Sequence, residues 1–101
     1  MIFLKRPNIN DALQEYRGKE NALLLDVREE DEFRAGFIPG AVNVPLSKID
    51  AITLPKDKAL YVYCLRGRRS KQAVRALKEL GYADIKSIGG ILSYKGELEK
   101  P

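Results

Sequence analysis

The sequence contains no histidine and no tryptophan, and its only cysteine is Cys64. Without histidine, a Cys–His dyad, a serine triad and a His-ligated metal site are all excluded. One thiol cannot form an intramolecular disulfide, and it argues against a cysteine-based zinc site. No metal and no other cofactor is therefore expected, and a reducing cytoplasm is the simplest compartment. Long apolar runs are missing too, so no membrane span is expected. Residues Met1 to Arg6 carry too few apolar side chains ahead of their charges for a targeting segment. Repeats and low-complexity stretches are absent.

What is present fits one α/β domain over residues 1–101, because 45% hydrophobic and 32% charged residues support a modest single core. The net charge of +4 is unevenly spread. From Cys64 to Glu79 there are six basic residues and one acid, a local +5; from Asp26 to Arg34 there are five acids and two arginines, a local −3. The field is thus positive around the thiol. A pI of about 9.3 raises the question of nucleic acid. No binding motif is present and the aromatics do not interleave with the basic cluster, so no nucleic-acid partner is expected.

Along the chain, a short edge strand is expected near Ile2 to Leu4, followed by a helix that starts at Pro7 and Asn8 and closes near Gly18. Ala22 to Val27 is short and nearly continuous in apolar residues, which suits a strand buried on both faces of a parallel sheet. An acidic helical turn through Phe33, a loop over 36–41, a small strand at 42–44 and one or two helical turns at 46–52 follow. The central strand, 60–63, delivers Cys64 into a loop, and a helix bearing Ala73, Val74, Leu77 and Leu80 ends at Gly81. A strand over 83–88, a sharp Gly89-Gly90 turn and a short helix fraying toward Pro101 complete the reading. Alternation of this kind predicts a mainly parallel sheet, whose functional crevice lies at the carboxyl ends of the strands, where Asp26 and Cys64 both fall.

A strand that ends on a thiol, a tight loop and a helix start together make an anion cradle. Loop N–H groups and the positive helix end favour the thiolate. A buried, inert thiol is the ordinary fate of a lone cysteine at a strand end; the glycine and arginines beside Cys64 favour a nucleophile instead. With no histidine base, those N–H groups and arginines must supply the activation. Arg66 and Arg68 are expected to attract an anionic substrate. Arg69 either joins them or runs along the helix surface, while Lys71, Arg75 and Lys78 are read as a solvated face. Leu65 is expected in the pocket wall, and Gly67 lets the loop curl. The Ser70 hydroxyl is expected to cap the helix rather than to take part in chemistry. Asp26 and Arg28 are either a catalytic acid and an anion ligand or, the preferred reading, a buried supporting pair.

Four blocks in this order resemble the rhodanese family of single-domain sulfurtransferases: Leu25-Asp26-Val27-Arg28-Glu29, the run from Gly36 to Pro45, the run from Tyr63 to Ser70, and Gly89-Gly90-Ile91. The resemblance implies a five-stranded, mainly parallel sheet flanked by helices on both faces. It also implies a Cys64 persulfide that carries sulfane sulfur from a donor, thiosulfate or a persulfide, to an acceptor, cyanide, a thiol or a protein; separately, a monomer or weak dimer is expected. Two residues depart from the family pattern: Phe37 stands where a histidine is frequent, and Tyr94 where a tryptophan is. Family members without the cysteine act as interaction modules, and retention of Cys64 argues against that role. The other rival, a cysteine phosphatase or arsenate reductase, needs cysteine, five residues and then arginine. Here that position is Ser70, with Arg69 one residue early. The six residues from Cys64 to Arg69 make a loop sized for one sulfur atom rather than a tetrahedral oxyanion.

Overall fold

The computed structural model describes residues 8–101. The expected edge strand at Ile2 to Leu4, and Pro7 at the helix start, lie outside the described residues. Asn8 caps α1 (Ile9–Arg17) by accepting from the Asp11 N–H at 3.0 Å, a bond of the kind whose loss costs about 1 kcal/mol. Ile9 and Leu13 are its buried face. β1 (Ala22–Asp26) follows, then α2 (Glu30–Arg34), β2 (Val42–Asn43), a 3₁₀ helix (Leu46–Ala51), β3 (Ala59–Cys64), α3 (Arg68–Glu79), β4 (Ile85–Gly90) and a 3₁₀ turn (Ile91–Ser93). α3 closes as a Schellman motif: Tyr82 N–H donates to the Leu77 carbonyl and Gly81 N–H to that of Lys78, both at 3.0 Å.

The sheet order is β2-β1-β3-β4 and every pairing is parallel. Among the described residues there are thus four strands, not the five expected. Side-chain alternation divides the core into two layers. Leu25, Val27, Leu60, Val62 and Cys64 face α3, with Ala73, Val74, Leu77 and Ile49 packed on them. Leu24, Ala59, Tyr61 and Tyr63 face α1, with Ile9, Leu13 and Ile91. β3 is buried along its whole length. Its strand direction and its alternation therefore aim the Cys64 side chain at the start of α3.

Two C-terminal expectations are corrected. Gly89-Gly90 is not a turn: β4 runs through it, and after a bulge Gly89 pairs with Tyr63 and Gly90 with Cys64. The last segment is not a fraying helix either. After three residues of 3₁₀ helix the chain returns, and Glu99 and Phe37 exchange backbone hydrogen bonds at 2.9 Å.

Candidate active site

β1 and β3 are neighbours whose connections leave in opposite directions, to β2 on one side and β4 on the other. That is the switch point where an open α/β sheet has its crevice. Asp26 ends β1 and Cys64 ends β3, so both expected residues reach it.

The loop after Cys64 folds back on its own sulfur. Sγ accepts the Gly67 N–H at 3.0 Å and the Ser70 N–H at 3.3 Å. Such a path needs a left-handed residue at the start of α3, and Gly67 supplies it with φ 106°. The thiol is buried. Burial pushes its pKa up, but the amides of Ser70, Gly67 and Arg66 act against it, and the pKa is lowered. The activation therefore comes from hydrogen-bond donors. The guanidiniums, expected to share the task, are not among its main causes.

The remaining loop residues separate by role. Arg66 and Arg68 are exposed and form no ion pair among the described residues. Arg66 borders a cleft of about 630 Å³ with Gly67, Lys71, Lys86 and Gly89. Arg69 is engaged elsewhere: its guanidinium donates to both carboxylate oxygens of Glu32 on α2, at 2.6 and 2.9 Å, and this holds the Glu32 carboxyl at about 2, well below the usual range. Half-buried Leu65 packs on the α1 side of the core and its carbonyl accepts the Leu92 N–H at 3.2 Å. The Ser70 side chain does not cap α3. It is fully buried, donates from its hydroxyl to the Gly67 carbonyl at 2.9 Å and meets the Ser87 hydroxyl at 2.6 Å.

Asp26 and Arg28 form a buried ion pair. Arg28 Nε and Nη2 donate to the Asp26 carboxylate at 2.7 to 3.0 Å, and the Arg28 N–H adds a third donor at 2.9 Å. Nη2 also donates to the Gly36 carbonyl at 2.8 Å, and the guanidinium lies 5.9 Å from the centre of the Tyr63 ring. Burial works against the Arg28 charge, but Asp26 outweighs it and the pKa is raised. Asn43 Nδ2 donates to the carbonyls of both Asp26 and Arg28, and the Tyr63 hydroxyl accepts the Ile38 N–H at 3.1 Å. The pair thus ties the end of β1 to the 36–38 loop, which Tyr63 also holds, the geometry of a support. Among the described residues no three His, Cys, Asp or Glu side chains cluster to hold a metal ion, and no helix is long and apolar enough to cross a membrane.

A thiol at a parallel strand's end, ringed by the amides of a glycine-containing turn, is matched by more than geometry: the model of the rhodanese-like domain covers residues 10–97. The chain belongs to the rhodanese-like family. It is 31% identical over 102 residues to the adenylyltransferase and sulfurtransferase UBA4 of Meyerozyma guilliermondii, a match covering 88% of this chain and 24% of that protein. With the thiosulfate sulfurtransferase PspE of Escherichia coli it shares 35% identity over 71 residues, covering 66% of this chain and 68% of PspE. The solved rhodanese-like domain protein of Staphylococcus aureus superposes with a TM-score of 0.81 at 26% identity, covering 97% of this chain and 99% of that one. The chain spans about a quarter of the UBA4 relative. In this rhodanese-like domain Phe37 stacks on Phe33, with ring centroids 4.2 Å apart and planes within 9°. It serves packing where a histidine is frequent in the family.

Sequence reasoning missed four residues of the site. Glu32 read as one acid among five, and Asn43 as part of a resemblance block with no role. Ser87 carried no local signal at all. Gly90 was read only as half of a turn, and its close approach to Leu65 and Arg66 left no local signal.

Proposed function

We propose that the chain is a sulfurtransferase in which Cys64 carries sulfane sulfur as a persulfide. The observation that carries this reading is the sulfur held at 3.0 and 3.3 Å by two N–H donors at the start of α3. In the first step the Cys64 thiolate attacks the outer sulfur of thiosulfate. The bond between the two sulfurs of thiosulfate breaks, its electron pair leaves with sulfite, and Cys64–S–S⁻ forms. In the second, a thiophile such as cyanide or a thiolate attacks the outer persulfide sulfur, and the electron pair of the S–S bond returns to Cys64 as thiolate. Amide donors already aimed at the sulfur need no reorganisation as charge moves onto it.

Exposed Arg66 and Arg68 supply the positive rim that a dianionic donor approaches. Arg66→Ala and Arg68→Ala are each expected to lower kcat/KM for thiosulfate about two- to fivefold, the range of about 0.5–1 kcal/mol for an exposed charge contact. Added salt should shrink the difference. Turnover of a neutral persulfide donor should change little. The measurement is thiocyanate formation from each donor, with Cys64→Ser as the inactive control. Equal losses with both donors would contradict the anion-binding role.

A further inference from the structure

Ser87 has no part in the chemistry described so far. It lies on β4 opposite Val62, half-buried, at the edge of the cleft beside the loop. Its Oγ is 2.6 Å from that of Ser70. A serine hydroxyl has a single proton to donate. Ser70's goes to the Gly67 carbonyl at 2.9 Å, so the contact between the two hydroxyls has Ser87 as its donor.

We propose that Ser87 is a positioning residue for the reactive loop: its O–H donates to Ser70 and fixes the direction in which the Ser70 hydroxyl donates. Gly67 is then held by three bonds: the Ser70 hydroxyl and the Lys71 N–H both donate to its carbonyl, at 2.9 and 3.2 Å, and its own N–H donates to Sγ. That restraint matters because Gly67 lacks a Cβ to limit its backbone. A hydroxyl that itself receives a hydrogen bond is a stronger donor, so the contact also strengthens the Ser70 bond to the carbonyl of Gly67, whose N–H holds the sulfur. The effect reaches Cys64 without Ser87 touching it. The charged group coupled to the sulfur is Arg69 from α3, itself paired with Glu32 from α2; exposed Arg66 and Arg68 belong to the loop, and the Asp26–Arg28 pair is buried at the end of β1; all remain in the variants below.

The role rests on Cys64 being the reacting thiol, and the test separates the two ideas. The ¹³Cβ shift of the lone cysteine is followed against pH in wild type, Ser87→Ala and Ser87→Thr, with thiosulfate turnover measured over the same range. Ser87→Ala is expected to raise the Cys64 pKa by about half a unit and to lower turnover about threefold below that pKa, with the loss vanishing above it. Ser87→Thr, which keeps a hydroxyl, should restore both. In a Ser70→Ala background the Ser87→Ala change should be silent. An unchanged pKa in Ser87→Ala, or equal shifts in the alanine and threonine variants, would overturn the proposal. A wild type that turns over no sulfur but shows the hydroxyl-dependent shift would overturn the transfer reading and leave the positioning role standing.

Discussion

Arg28→Ala is expected to destabilise the domain by about 3–5 kcal/mol, the usual consequence of removing one partner of a buried ion pair. The Asp26 side chain is 0% exposed and the Arg28 side chain 6%. Alanine would strip the buried carboxylate of its guanidinium donors, with only the residue-28 N–H still in place. It would also free the Gly36 carbonyl, so the 36–38 loop would lose its tie to β1. A domain of this size has about 5–15 kcal/mol of stability in total, so the variant should unfold at markedly lower urea. Arg28→Lys would keep the charge but lose the fork that spans both carboxylate oxygens, and should recover only part of the loss. A change under about 1 kcal/mol in Arg28→Ala would show that the pair is not a structural support.

The second large effect is expected at Gly90. A Cβ built there would sit 2.2 Å from the Leu65 carbonyl oxygen and 2.5 Å from the Arg66 Cα. Both are backbone atoms of the loop that wraps Cys64, so neither a rotamer change nor a flexible side-chain end can relieve the clash. Gly90→Ala must therefore push the loop off β4. Overpacking of this kind costs about 1–3 kcal/mol and occasionally more. The chemical consequence should exceed the stability loss, because displacing the Gly67 and Ser70 amides from Sγ removes the thiolate's donors. A shift of about 1 Å at a reacting group can cost about a hundredfold in rate. Urea unfolding and thiocyanate formation, measured on the same preparation, check both parts. Transfer within threefold of wild type would contradict the claim that β4 is the floor of the loop.

These two residues also mark what was legible from sequence. Asp26 and Arg28 were readable because local chemistry constrains them: charged residues flanking an apolar run must be paired if the run is buried on both faces. Cys64 was readable because strand, glycine and helix start are contiguous, and the loop closes within six residues. The parallel sheet followed from the same alternation of short apolar runs with helical spacing. Gly90 was misread because its constraint comes from Leu65 and Arg66, some twenty-five residues away, across a strand pairing that no local pattern announces. Arg69 and Glu32 are separated by 37 residues. Their pairing depends on α2 being brought to the start of α3, which the local run of basic residues does not specify. Ser70 failed differently: the residue type suits a cap, but as the third residue of α3 its hydroxyl finds the Gly67 carbonyl and Ser87 inside the fold.

The proposed carrier state is a sulfur atom resting on Cys64, and intact-mass spectrometry observes that atom directly. After incubation with thiosulfate and removal of the excess, the wild-type chain is expected to gain the mass of one sulfur atom. Cyanide should remove the added mass, and Cys64→Ser should never acquire it. No adduct on the wild type, or an adduct that persists in Cys64→Ser, would contradict the account and leave the chain as a rhodanese-like interaction module.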